Sequence, residues 1–340
     1  MNWLALSLAL CGTEPRLGAI WIEPAAIAAV ARDAHPENLR QLTQQSLRAA
    51  RQLSIETVIL AYPEFLGTFF YRGEATFFDR DVGKEVSARQ CPFDVYSAVL
   101  DEADRLGMRV FLGVGRQGDT NLLWEFDDAG WPGRLERALS IAKAVADDLH
   151  RAFGQHPSFA GWYLSHEMND LHRSRAYYDP LAIHCRSLGT ARKVMISPSG
   201  TPILTPEDIR DCQVDIFAYQ DAVGAGYVPY RYTYDSSQRL AMLDEIYRDY
   251  ALKHQGTGKE IWANLEVWQM DGKSGYARPF PASWDRVRKQ IETEAPHVSL
   301  LSAYAWHGFF QQDQQDHETP IPAAQDLWRR YQDYCRQPAR

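Results

Sequence analysis

Two glutamates, Glu167 and Glu266, stand where a pair of carboxyl groups can cooperate. Glu167 follows the apolar run FAGWYLSH, and Glu266 ends the run EIWANLE. Two carboxyls facing each other across a cavity can flank a glycosidic bond. One protonates the leaving oxygen while the other attacks the anomeric carbon, provided they stand about 5–5.5 Å apart. Their surroundings must differ, so that one stays protonated while the other is ionised. Either glutamate alone reads equally well as an ion-pair or helix-cap partner. As a pair, surrounded by Trp and Tyr, they point to catalysis.

Further candidates fall at the ends of similar apolar runs. These are Trp21 and Glu23, Tyr62, His166 and Asn169, Tyr219 and Gln220, Trp268, and Trp306 with His307. The rings of Trp21, Tyr62, Tyr219, Trp268 and Trp306 are expected to wall subsites, because apolar sugar faces stack on aromatic rings. Trp162, inside its run, reads equally as core. Asn169, Asp170, Gln220 and Asp221 offer hydrogen bonds to hydroxyls, although Asp and Asn in loops more often cap turns.

The elements that must position these residues alternate along the chain. Short runs rich in β-formers occupy residues 18–23, 57–62, 109–114, 159–165, 193–197, 214–219, 260–266 and 298–306. Helical patterns separate them, among them 92–106, 135–153, 180–188, 237–254, 283–294 and 323–334. Runs without polar alternation indicate strands covered on both faces, as in a parallel sheet. Eight strand–helix units in series predict an α/β fold, a single (β/α)8 TIM barrel over 18–340. Connections that follow strands are long, as in 63–91, 116–133, 220–236 and 307–322, whereas those that precede strands are short. Such barrels keep their sites at the C-terminal strand ends, where the candidates lie.

Composition sets the outer limits. At 340 residues, 45% hydrophobic and 12% aromatic, the chain is long and apolar enough for a large core, which excludes disorder. Forty-four acids against 36 bases give a net charge of −8 without a basic block, so nucleic acid is not an expected partner. No apolar run reaches the ~20 residues of a transmembrane helix. MNWLALSLALCG opens with a short apolar stretch but no preceding Lys or Arg. Residues 1–17 therefore read as a signal-like or lipoprotein-like segment in degraded form. Periplasmic, secreted and cytoplasmic locations all stay open. The five cysteines are widely spaced and form no CxxC pair, so they read as buried or indifferent thiols.

Several motifs fail on context. GVGRQG at 113–118 has dinucleotide-site spacing but belongs to the third unit, with Asp119, Asp127 and Asp128 nearby to repel phosphate. HEMND is not the zincin HExxH, because residue 170 is Asp. No G-x-S-x-G elbow occurs, and the sixth strand lacks the lysine that aldolase chemistry needs.

The glutamates on strands four and seven resemble those of clan A retaining glycosidases, where strand four carries the acid/base and strand seven the nucleophile. HPSFAGWYLSHEMND at 156–170, LGMRVFLGVG at 106–115 and GAIWIEP at 18–24 resemble a more specific group. This is the barrel family catalogued as domain of unknown function 4434, whose members are regarded as glycosidase relatives. The resemblance spans about residues 18–306, and GWYLSHE is its most specific part. It implies acid/base chemistry for Glu167 and nucleophilic chemistry for Glu266. Clan A enzymes usually place Asn before the acid/base, against the sugar 2-hydroxyl. Here that position is His166, so either His166 takes over the contact or the sugar is held differently.

The expected activity is retaining hydrolysis of a β-linked oligo- or polysaccharide, without cofactor or metal. Two other readings stay open: a carbohydrate-binding barrel that has lost turnover, in polysaccharide assembly, and a metal-assisted hydrolase or deacetylase.

Overall fold

The computed structural model describes residues 14–31, 36–80, 82–116, 118, 125–189, 191–228, 231–233, 235–270, 279–306, 315–316, 319–320 and 322–337. Most of the N-terminal segment, residues 1–13, lies outside these, as do Gln117, Asp119 and His307.

Eight parallel strands close into a barrel. They are β1 (Leu17–Ile22), β2 (Thr57–Leu60), β3 (Arg109–Gly113), β4 (Phe159–Tyr163), β5 (Lys193–Ile196), β6 (Ile216–Gln220), β7 (Glu260–Glu266) and β8 (Leu300–Tyr304). Each strand pairs with its sequence neighbours, and β8 closes the ring on β1. Major helices follow the strands: α1 (Pro36–Gln52), α2 (Val95–Leu106), α3 (Trp131–Phe153), α4 (Leu171–Leu188), α5 (Pro206–Asp211), α6 (Ser236–His254), α7 (Trp284–Glu294) and α8 (Pro322–Arg336). Side chains on a strand alternate between faces. One set fills the barrel: Trp21, Ile59, Phe111, Tyr163, Met195, Ile216 and Trp262 pack into a single inner cluster. The other set, including Ile20, Val58, Val110, Trp162 and Phe217, joins the larger core under the helices. One interior ring sets a size limit on its neighbour. A Cβ on Gly161 would lie 2.3 Å from the Phe111 ring, so β4 needs glycine opposite that phenylalanine.

Local chemistry fixes the helix starts. Asp94, Asp170, Asp235 and Ser283 each accept a backbone N–H from the first turn of the following helix, and Thr205 forms a capping box with Asp208. The structure corrects the helix predicted to begin near Pro180. It begins at Leu171 behind the Asp170 cap and carries Pro180 inside. Pro180 removes one intrahelical hydrogen bond. Buried Tyr177, Tyr178, Leu181 and Cys185 on the same helix supply the packing that outweighs it. No helix among the described residues is long and apolar enough to cross a membrane.

The long loop after β2 is tied down from below. Arg116, just past β3, reaches Glu64 at 3.0 Å and Asp79 at 2.6 Å, and all three side chains are at most 6% exposed. Asp79 ends the first strand of a hairpin formed by Thr76–Asp79 and Lys84–Ser87. Breaking a buried pair from one side leaves uncompensated charge, and here two carboxylates depend on one guanidinium. Arg116→Ala is therefore expected to cost about 3–5 kcal/mol of folding stability in chemical denaturation. A loss under about 1 kcal/mol, typical of exposed pairs, would contradict this.

Candidate active site

At the C-terminal ends of the strands lies a cavity of about 190 Å³, lined by Glu167, Gln220, Asn264, Glu266, Trp268 and Tyr304. Strand alternation explains this membership. On β7, Trp262 points into the barrel, so Asn264 and Glu266 above it share that face. On β6, Ala218 is interior, which turns Gln220 inward and Tyr219 outward. On β4, Tyr163 is interior, and four residues later Glu167 emerges on the same side. Register then sets neighbours: Gln220 lies opposite Asn264, and Glu266 opposite Tyr304.

The backbone around Glu167 is clamped. The Tyr178 hydroxyl on α4 donates to the His166 carbonyl at 2.7 Å and accepts the Met168 N–H at 3.1 Å, one contact on each side of Glu167. Ser199 donates to the Glu167 carbonyl at 3.2 Å. Burial raises the Glu167 carboxyl to about 7, opposed by Gln220 and Tyr163, whose polar ends face it. Neither neighbour is a cation, so the surroundings favour the neutral acid.

Glu266 has different surroundings. Its Oε2 accepts the Ala225 N–H at 2.9 Å, and its backbone N–H donates to Asp221 at 3.2 Å. Burial raises its pKa, and the Asp221 carboxylate adds to the rise; the Ala225 N–H, Arg286 and Arg239 pull it down. A donor on the carboxylate and two guanidiniums behind it offset part of that rise, but the balance still leaves Glu266 raised, to about 8 against about 7 for Glu167. The approach of the β6 loop requires a glycine: a Cβ on Gly224 would lie 2.1 Å from the Trp268 carbonyl and 3.0 Å from Glu266 Oε2.

Glu23 and Tyr304 form a flank. The Tyr304 hydroxyl donates to Glu23 at 2.8 Å, and burial raises Glu23 to about 7, with Glu167 adding to the rise. Beneath them Trp21 is 1% exposed, edge-on to Tyr163, and donates from its indole to Ser302 at 2.9 Å. It is a floor under Tyr304, not a wall of the cavity. Tyr62 is buried beside Tyr163 and Tyr304.

Other expected contact residues lie behind the cavity wall. Tyr219 stacks on Tyr250 of α6 with centroids 4.0 Å apart, and its hydroxyl meets His254 at 2.8 Å. Trp306 is fully buried, edge-on to Trp328 of α8. Trp162 is core, against Phe159. His166 is fully buried, its ring 4.8 Å from that of Tyr177. Burial, with Arg116 adding, pushes it down to about 3, so it is neutral. His166 packs on α4 and lies outside the cavity lining. Asn169 is half-buried outside the lining, its carbonyl accepting the Ile203 N–H at 2.7 Å. Asp170 caps α4, and Asp221 is fully buried, accepting the Val223 N–H at 3.0 Å. For these two the turn-capping alternative describes the contacts made.

Two lining residues were absent from the expectations, Asn264 and Tyr304. Both are interior by alternation, and Asn264 donates to Ser197 at 3.2 Å. Counting by twos from Glu266 or from β8's Ser302 identifies them. Among the described residues, no group of three or more His, Cys, Asp or Glu is arranged to hold a metal.

Solved structures share this architecture. A proposed α-L-fucosidase from Bacteroides thetaiotaomicron VPI-5482 superposes with a TM-score of 0.68 at 16% identity, covering 98% of each chain. The endo-1,4-β-mannanase from Rhizomucor miehei gives 0.56 at 9%, covering 96% of this chain and 97% of that one. A GH113 β-1,4-mannanase gives 0.54 at 12%, covering 87% and 93%. At these identities the likeness is one of fold. No curated protein matches the chain in sequence. The family described as domain of unknown function (DUF4434) matches residues 32–317, most of the chain. The chain belongs to that family, and its fold is the (β/α)8 barrel used by glycoside hydrolases of several kinds.

Proposed function

We propose that the chain is a retaining glycoside hydrolase acting on a β-linked oligo- or polysaccharide. The observation that carries this reading is the shared cavity: Glu167 from β4 and Glu266 from β7 line it together, in unequal surroundings. Glu167, held near its neutral form by burial without an adjacent cation, protonates the departing glycosidic oxygen. Glu266, facing Ala225 N–H with Arg286 behind it, attacks the anomeric carbon and forms a glycosyl ester. Glu167, now ionised, takes a proton from water, which attacks the anomeric carbon from the face opposite the ester, displaces the Glu266 carboxylate and releases the sugar with its configuration kept. The solved mannanases and the proposed fucosidase, sharing the fold, support a glycosidase in general terms.

Trp268 is half-exposed at the cavity, which makes it the aromatic platform this reading assigns to a sugar ring. Gln220 and Asn264 are the neutral hydrogen-bonding groups beside the two carboxyls, in place of His166. The stereochemical course tests the mechanism. Proton NMR of an activated aryl glycoside during hydrolysis is expected to show first the anomer of the substrate's own configuration. Initial appearance of the opposite anomer would overturn the retaining assignment.

A further inference from the structure

A second cavity lies on the rim of the barrel, away from the catalytic residues. It measures about 270 Å³ and opens between the starts of α1 and α2. Helices of this fold begin beyond the C-terminal ends of the preceding strands, so both cavities share one face of the barrel. Their sectors differ: α1 follows β1 and α2 follows β2, whereas Glu167 and Glu266 come from β4 and β7.

Four of the groups lining the rim cavity are apolar. Leu39 and Ala98 are buried, Phe93 is half-buried and Pro92 is exposed. Two guanidiniums join them from separate segments, Arg40 from α1 and Arg72 from the long connection after β2. Arg72 is exposed and makes no ion pair among the described residues. Arg40 reaches Asp101 of α2 only at 3.6 Å, with both side chains more than a third exposed, and such pairs hold weakly. One carboxylate, Asp94, also lines the cavity, but it is engaged as the α2 cap, accepting the Ser97 N–H at 3.0 Å.

The backbone that carries Arg72 is anchored on both sides. Phe70, two residues earlier, accepts the Val95 N–H at 2.9 Å, which docks the connection on the first turn of α2. Tyr71 is fully buried and donates its hydroxyl to Asp148 at 3.1 Å. Asp148 also accepts the Glu74 and Ala75 N–H groups, each at 2.8 Å. Binding therefore has the Arg72 side chain to order and little backbone, which keeps its entropic cost low.

Charge and shape together name the ligand. A guanidinium fork pairs bidentately with a carboxylate, and an aromatic face suits the apolar face of a pyranose ring. In a chain of net charge −8, two guanidiniums against one engaged carboxylate are a local reversal of sign. The described lining of the catalytic cavity is the converse, with two carboxyls and no cation, so it offers an acidic sugar no partner. We propose that the rim cavity is a subsite for a uronate, a sugar whose ring carboxylate meets Arg40 and Arg72 while its ring lies against Phe93. The substrate is then a polysaccharide with a neutral residue at the cleavage cavity and uronates set apart from the scissile bond. That last step rests on the glycosidase reading; the carboxylate site does not.

Ligand-observed saturation-transfer NMR tests the site with methyl β-D-glucuronide and its neutral counterpart, methyl β-D-glucoside. The glucuronide is expected to bind about tenfold more tightly, the difference made by a charge-assisted hydrogen bond. Arg40→Ala and Arg72→Ala are each expected to remove about tenfold of the glucuronide affinity and none of the glucoside affinity. A crystal of the unaltered chain soaked in glucuronide is expected to show the carboxylate on the two guanidiniums, which checks the site without any substitution. Equal binding of the two glycosides, or glucuronide affinity that neither substitution changes, overturns the proposal. Inorganic sulfate that binds as tightly as the glucuronide, with the same loss in Arg72→Ala, overturns the sugar and reduces the cavity to an anion site.

Turnover separates this proposal from the proposed activity. Hydrolysis of a small neutral aryl glycoside is expected to be unchanged in both variants. For a uronate-containing polysaccharide, KM is expected to rise about tenfold with kcat kept. Glycoside hydrolysis without arginine-dependent binding overturns the subsite and leaves the glycosidase reading intact. Arginine-dependent binding without any hydrolysis supports the carboxylate site and counts against that reading.

Discussion

Glu266→Gln is expected to lower kcat by roughly 10⁴-fold or more while leaving the protein as stable as before or more stable. The two halves of this result have one cause. Glutamine matches the shape of glutamate, and its amide oxygen can still accept the Ala225 N–H. It cannot form the glycosyl ester, so the first chemical step loses its nucleophile. Burial and Asp221 raise the Glu266 pKa in the fold, so ionised Glu266 costs stability that grows as pH rises above its unfolded value. Glutamine removes that cost. Kinetics on an aryl glycoside and thermal unfolding at neutral pH check the prediction together. A variant that keeps more than a tenth of the rate would show that Glu266 is not the nucleophile.

Glu167→Gln is expected to lower kcat/KM by roughly 10²–10⁴-fold on substrates with poor leaving groups, and much less on activated aryl glycosides. Activated leaving groups depart without a proton, so the first step survives; the second then stalls because no base activates water. Azide, which needs no base, is expected to restore turnover and give a glycosyl azide of retained configuration. The pH profile carries a second sign. Glu167 must be protonated in the first step, so kcat/KM falls as pH rises through its folded pKa of about 7. That limb should disappear in Glu167→Gln. An unchanged alkaline limb, or no azide rescue, would remove Glu167 from the role.

Much of this architecture was legible in the sequence because parallel strands buried on both faces leave continuous apolar runs, and eight runs alternate with eight helical patterns. The end of the barrel that carries the cavity was legible too, from loops that are long after strands and short before them. The glutamates were visible as acids ending apolar runs, a cost that a buried strand end rarely carries without use.

The finer assignments erred where adjacent residues were both given to the cavity. Tyr219 and Gln220, or His166 and Glu167, cannot both face inward from an extended chain. The alternation could have been phased on Trp262 and Glu266, and it would have chosen Gln220, Asn264 and Tyr304 while sending Tyr219 and His166 to the helix side. Trp306 was hidden for a different reason: its partner, Trp328, lies on the last helix, a contact between residues that no local pattern connects. Arg286, Gln290 and Glu294, buried on one face of α7, were likewise masked. Read alone, a charged and polar face on an amphipathic helix looks solvated, and only Asp221 and Glu266 opposite it explain its burial.

The central claim is that Glu266 forms a covalent bond with the sugar, and mechanism-based labelling tests it most directly. The protein is incubated with a panel of activated 2-fluoro glycosides and cyclophellitol-type epoxides, then analysed by intact mass and peptide mapping. The account predicts a single adduct on Glu266 that is lost in Glu266→Gln, and the glycoside that labels identifies a sugar the cavity accepts. An adduct on another carboxylate, or no adduct from any reagent while glycans still bind, would contradict it.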